Sequence, residues 1–285
     1  MSEVVVAINP DGARISGTSG FRLASAWPLT LVGPHSDYRE ETAVTKSWLA
    51  RVASLLVLIL LFGVTGMVTA TEEKTAELLT KLVQTGRKVV SDHQALINDP
   101  EKGDKGFTPE FLAEKVIAEF QKSTGIDLRK PSGEDGKLLV ALLEVEKEVV
   151  ADAQSVINRQ DMGFKGFIPA VFVRKTAEKF SSRSGIKIKF TAIDFRNARN
   201  KPDDFERKAF GVIAAPNYPK GKPYQEAMPL DGKAVIRIMF PEYAAKSCLS
   251  CHGDPKGEFD ITGGKKEGQK EGDLAGALSF TIPAK

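Results

Sequence analysis

Cys248, Cys251 and His252 stand in the run SCLSCHGDP and form a C-x-x-C-H motif. Two thiols three positions apart can add to the two vinyl groups along one edge of a haem, and the imidazole that follows then reaches the iron from the proximal side. The motif predicts one covalently attached c-type haem, with Cys248 and Cys251 as thioether donors and His252 as the proximal iron ligand. Three other uses of the pair fit less well. A zinc site asks for about four ligands, and beyond these two cysteines and His252 the chain offers only His35 and His93. A thioredoxin-type pair wants a βαβ context that the pattern lacks. A plain disulfide leaves the histidine without a role. With both thiols spent on haem, the chain has no disulfide and no cysteine to act as a second axial ligand.

The sixth iron position has several candidates. His93 stands where the second copy of an internal repeat has Ala153, and Met162, Met228 and Met239 are thioethers within the same part of the chain. An open or water-bound position would favour gas binding over electron transfer. Arg237, just before the motif, and Lys265 and Lys266, in the Gly-rich stretch after it, are cations suited to the haem propionates. Arg196, Asn197 and Asn200, followed by Pro202, Asp203, Asp204 and Glu206, read as a capped turn into a helix, either structural or lining a pocket.

The elements that carry these groups begin with a duplication. Aligning 89–128 with 149–188 without gaps gives fifteen identities in forty positions, at a spacing of sixty residues. Each copy reads as a helix with Leu and Val at helical spacing, a turn broken by Gly106 or Gly166, and a second helix. That second helix opens at Pro109 or Pro169 and ends at Gly125 or Gly185. Two copies are too few for a solenoid. After Gly185 the second copy enters GIKIKFTAIDF, where Ile186, Ile188 and Phe190 alternate with lysines as in a half-buried strand. Ala234–Met239 and Leu274–Ile282 are further strands. The expectation is an α+β fold, with a helical hairpin over 72–130 and a strand-containing domain over 137–285.

Upstream, Val52–Thr71 is a twenty-residue run without a charge. As a helix it would span about 30 Å, a bilayer core. Lys46 and Arg51 precede it and Glu72 and Glu73 follow, which places the N-terminus in the cytoplasm and the rest outside. It reads as a retained transmembrane anchor or as a signal sequence cut after Ala70. Residues 1–51 show no sustained period and read as an unstructured cytoplasmic segment, of which the part before about Val44 is readable as an over-extended start. Export agrees with haem c, which is attached on the outer face of the bacterial cytoplasmic membrane, so the expected location is the periplasmic side.

The composition is that of an ordinary globular chain. It has 285 residues, 42% apolar and 27% charged, with a net charge of +3, which excludes disorder and gives no electrostatic reason to expect nucleic acid. At this point GFIPAVFVRKTAEKF, GIKIKFTAIDFRNARNKPDDFE and CLSCHGDPKGEFDITGGKKEGQKEGDLAGALSFTIP together resemble the single-haem, PAS-like c-type cytochrome domain. That domain occurs as an exported stand-alone protein and as the periplasmic sensor region of bacterial histidine kinases and chemoreceptors. The resemblance covers roughly 140–285, and 72–130 joins it only through the repeat. It implies haem c in a PAS-like α+β fold, with Cys248, Cys251 and His252 in the roles above; some relatives draw their sixth ligand from a helical cysteine, which this chain does not have.

The expected function is a redox or small-ligand sensing module that acts with a signalling or redox protein partner, because no output region follows. The alternative is a small mono-haem electron-transfer cytochrome. No distal acid–base pair is identifiable, so an enzyme is not expected. Long amphipathic helices beside a membrane span are compatible with a parallel homodimer.

Overall fold

The computed structural model describes residues 70–284. The segment 1–51 and the transmembrane or signal segment expected over 52–71 lie outside the described residues, except that 70 and 71 already belong to a helix. Among the described residues no helix is long and apolar enough to cross a membrane.

The first repeat copy folds as α1 (70–92), α2 (Gln94–Asn98) and α3 (Pro109–Thr124), and the second as α4 (Gly133–Ile157) and α5 (Pro169–Ser184). The helix signals read from the sequence are the ones used. Thr108 caps α3, its hydroxyl accepting the Phe111 N–H at 3.1 Å, and Pro109 and Pro169 occupy first turns where their missing N–H costs nothing. Gly125 and Gly185 end α3 and α5 at φ of 76° and 73°, the left-handed conformation that a Cβ would strain.

The copies hold each other by the same bond made twice. Asn158 Oδ1 accepts the Lys105 N–H at 3.3 Å, and Asn98 Oδ1 accepts the Lys165 N–H at 3.1 Å. Both pairs are related by the sixty-residue offset, so the duplication is built as a pseudo-twofold assembly of two hairpins. Lys105 and Lys165 are buried. Lys105 Nζ donates to the Lys102 and Gly103 carbonyls, and Lys165 Nζ to those of Arg159 and Met162. Loss of solvent lowers the Lys165 pKa, and the Lys105 and Arg159 charges push the same way.

At the centre of this arrangement α1 meets α4 at Gly86 and Glu146, again sixty residues apart. A Cβ on Gly86 would fall 2.6 Å from Glu146 Oε1, so the glycine leaves the room that the carboxyl fills. Glu146 is fully buried, neither of its oxygens has a hydrogen-bond partner, and burial raises its pKa well above 4.5. The folded protein therefore keeps a proton that the unfolded chain releases above pH 4.5. The unfolded state binds fewer protons over that range, so stability falls as pH rises from there toward the folded pKa. In Glu146→Gln this part of the decline is expected to vanish. Melting temperatures of wild type and variant between about pH 4 and pH 9 check it; parallel curves would rule it out.

Gly185 leads directly into β1 (Lys187–Thr191). A 3-10 turn (Ala198–Asn200) and α6 (Asp204–Ile213) follow, then β2 (Tyr224–Leu230), β3 (Lys233–Tyr243), a second 3-10 turn (Lys246–Cys248), α7 (Leu249–His252) and β4 (Leu274–Pro283). The four strands form an antiparallel sheet in the order β1-β4-β3-β2. Ile236, Ile238 and Phe240 of β3, with Leu278, Phe280 and Ile282 of β4, join the helices of both hairpins in one apolar core. Met239 and Ala277 belong to the opposite face and pack with Phe205, Ala209, Phe210 and Ile213 of α6. Covering both faces explains why β3 is buried almost throughout.

The fold is thus α+β, as expected, and the hairpin over 72–130 shares its core with the sheet. The capped turn before α6 is also present. Asp203 and Glu206 form a capping box, in which the Asp203 carboxylate accepts the Glu206 N–H at 2.8 Å and the Glu206 carboxylate accepts the Asp203 N–H at 3.0 Å. β2 was not foreseen. It is an edge strand of half-buried and exposed positions with Pro229 in it, and its polar YQEAMPL run carries little strand propensity.

Candidate functional site

The C-x-x-C-H motif lies in the excursion between β3 and β4. Its base is closed by paired backbone bonds, Ala244 N–H to Asp273 O and Gly272 N–H to Ala244 O, both 2.8 Å. Within it the 3-10 turn and α7 wind the motif into consecutive helical turns, so the spacing of three places Cys248 and Cys251 on one side. Both thiols are half-buried and unpaired. Gly253 closes the turn, its N–H donating to Leu249 O at 2.9 Å. A Cβ there would lie 2.6 Å from that same carbonyl, so only glycine lets the chain leave His252 this way.

The second half of the excursion is a small hairpin, pinned by Lys266 N–H to Glu258 O at 2.8 Å and Asp260 N–H to Gly264 O at 2.9 Å. It grips His252 twice. The Gln269 N–H donates to the His252 carbonyl at 2.8 Å, and Glu267 Oε2 lies 2.7 Å from His252 Nδ1. Burial works against the charge on Glu267, but hydrogen bonds from Arg196 and His252 outweigh it and hold the carboxyl below its usual range. An ionised carboxylate can only accept, so Nδ1 carries the proton, and in the neutral ring Nε2 is left as the nitrogen with a lone pair.

Arg196, from the connection after β1, closes the site. Its Nε donates to Glu267 Oε1 at 2.6 Å and its Nη2 to Glu267 Oε2 at 2.9 Å, a bidentate fork. Nη2 also donates to the carbonyls of Cys251 (2.7 Å) and Lys265 (3.0 Å), and Nη1 pairs with Asp260. Burial disfavours the Arg196 charge, yet Glu267 and Asp260 raise its pKa above the ordinary value. Burial likewise opposes the Asp260 charge, but bonds from Thr262 and Arg196 lower its pKa to about 2.

On the segments joined by Arg196 and Asp260 stand four large apolar side chains open to solvent: Ile193, Phe195, Phe259 (66% exposed) and Ile261 (61% exposed). Val156 is the other large apolar side chain so exposed among the described residues. The sequence reads Arg196 as part of a capped turn, structural or pocket-lining, and gives Glu267 no role; the one signal for Glu267 is its place in the KKEGQKEGD run that follows the motif.

The side chains of the other predicted residues take no part in this network. Arg237 is not free for a propionate. It is buried on the sheet face beneath α6, where it donates to Asp203 (2.9 Å), Glu206 (3.4 Å) and Ser279 (3.3 Å) and lies 4.4 Å from the Phe205 ring centre. Lys266 pairs with Glu258 at 2.7 Å. Lys265 extends its ammonium over the Phe259 ring, 5.5 Å from the centre. His93 sits at the break between α1 and α2, its Nδ1 2.7 Å from Val89 O and its ring edge-on to Phe111. Met162 is in the loop between α4 and α5, Met239 is fully buried in the core under α6, and Met228 packs at the border of that core.

A model of the Tll0287-like family matches residues 66–283. Among solved structures, the crystal structure of the cyanobacterial heme-protein Tll0287 is similar at 18% identity, covering 54% of this chain and 98% of that chain, with a TM-score of 0.38. No curated protein matches the chain.

Proposed function

This chain belongs to the Tll0287-like family, and we propose that it is a mono-haem c-type protein with a PAS-like haem domain. The observation that carries the reading is the bond between His252 Nδ1 and Glu267, 2.7 Å long. Metal-ligating histidines are held in this way, with one ring nitrogen donating to a carboxylate and the other left for the metal. The remaining donors fit the same group. Two half-buried thiols, free of any disulfide, stand on one side of a helical turn. That the neighbour Tll0287 is a heme-protein agrees with this.

Cys248 and Cys251 hold the group covalently, His252 ligates the iron, Glu267 fixes the imidazole, and Lys265 is the remaining cation for a propionate. The haem, when bound, supplies a one-electron ferric/ferrous couple and an iron that can take a small ligand. We assign the protein to redox or small-ligand sensing together with a protein partner, on the periplasmic side of the cytoplasmic membrane and without enzymatic turnover. The motif and the charge asymmetry around 52–71 support that location. A second reading, electron transfer, is favoured by the exposure of Phe259 and Ile261 beside the motif, since an apolar rim near a haem edge suits docking of a redox partner.

The test is production of the full chain with the c-type maturation machinery. Haem is expected to stay on the polypeptide in a denaturing gel, with both thiols unreactive to alkylation. Haem that is extracted by acidified acetone, with two titratable thiols left behind, would refute covalent attachment. Binding of CO or NO by the ferrous protein then favours sensing, and an inert iron favours the carrier.

A further inference from the structure

We propose that Arg196 is a positioning residue for the proximal ligand: it fixes Glu267 against His252, offsets the charge of that carboxylate, and so raises the potential of the attached haem. This rests on the haem reading above and deepens it.

The geometry is that of a clamp. One guanidinium ties its own connection after β1 to two other segments, the motif helix through Cys251 O and the hairpin through Asp260, Lys265 O and Glu267. The hairpin is shaped to receive it. A Cβ on Gly264 would lie 2.6 Å from Arg196 Nη1, so the glycine makes the close approach possible. Both oxygens of Glu267 take bonds from Arg196, and one of them also takes the His252 proton. A plain loop tie would have no need to share the carboxylate that holds the ring.

The consequence has a sign. A carboxylate on Nδ1 makes the imidazole a stronger donor and stabilises ferric iron. Arg196 draws on the same carboxylate and places a positive charge nearby, which works in the opposite direction. Removing Arg196 should therefore favour the ferric state, and removing the Glu267 charge should favour the ferrous state. A residue that only ties loops together would, when lost, loosen the site in the same direction as loss of its partner.

The test is potentiometric titration of the full-length haem-loaded protein and of Arg196→Gln, Glu267→Gln and Arg196→Lys. At a fixed ambient potential, Arg196→Gln is expected to raise the ferric-to-ferrous ratio by about tenfold, 59 mV for one electron, and Glu267→Gln to lower it by a similar factor. Arg196→Lys keeps the charge but not the fork, so its shift is expected in the Arg196→Gln direction and smaller. Shifts of one sign in the Gln variants, or none above about twofold, would overturn the proposal. If Arg196→Gln does not fold, Arg196→Lys moving with Glu267→Gln, or not moving, overturns it equally. A wild-type protein with no covalent haem would overturn the haem reading itself, an outcome separate from any pattern of shifts.

Discussion

Replacing His252 with glycine is expected to abolish the nitrogen-ligated spectrum of the haem-loaded protein, and millimolar imidazole is expected to restore it. The expectation follows from how the ring is held. His252 ends a four-residue helix, so its loss leaves a short turn already closed by Gly253 and by the Gln269 N–H on its carbonyl. Glu267 is not orphaned, because Arg196 still occupies both its oxygens. The ring is more than a third exposed, so a free imidazole can enter and donate one nitrogen to Glu267 while the other meets the iron. Loss of the spectrum should be complete, since His252 provides the motif's only ring nitrogen. An unchanged spectrum in the variant would move the proximal ligand to another residue.

Phe120→Ala is expected to lower the stability of the whole described unit by about 3–5 kcal/mol, a large share of the roughly 5–15 kcal/mol that separates folded from unfolded domains. Phe120 is fully buried in α3, and its repeat equivalent Phe180 lies in α5 within the same core as Ile238 and Phe280 of the sheet. Because hairpins and sheet share that core, urea unfolding followed by helical circular dichroism and by the haem band should give a single transition shifted to lower urea. If helical signal is lost first while the haem band persists, the first hairpin is an independent unit and the shared core is refuted.

The two cases show where the sequence was legible. The helices of both copies were readable because their signals are local, with Pro109 and Pro169 at the starts, Gly125 and Gly185 at the ends, and a stripe of apolar residues between. Strands β1, β3 and β4 were readable from their apolar runs, whereas β2 was not, since its pairing to β3 supplies what its polar residues lack. Arg237 looked like a propionate ligand by proximity in sequence. In the fold, α6 brings Asp203 and Glu206 over it, and a buried cation must be paired.

What the sequence determined alone is the chemistry that covalent spacing enforces. Two thiols and an imidazole within five residues share successive turns whatever surrounds them, and a sixty-residue duplication demands two equivalent hairpins. The tertiary structure decided which groups complete that chemistry. Arg196 reaches Glu267 across 71 residues, and Glu267 reaches His252 across 15. Gly86 faces Glu146 because two copies of one motif pack about a common axis. Such meetings depend on how strands close loops and how helices cross, and no residue pattern along the chain records them. On the proposed haem reading, the C-x-x-C-H run names the group to be held, and the fold sets the charge and orientation with which His252 would hold it.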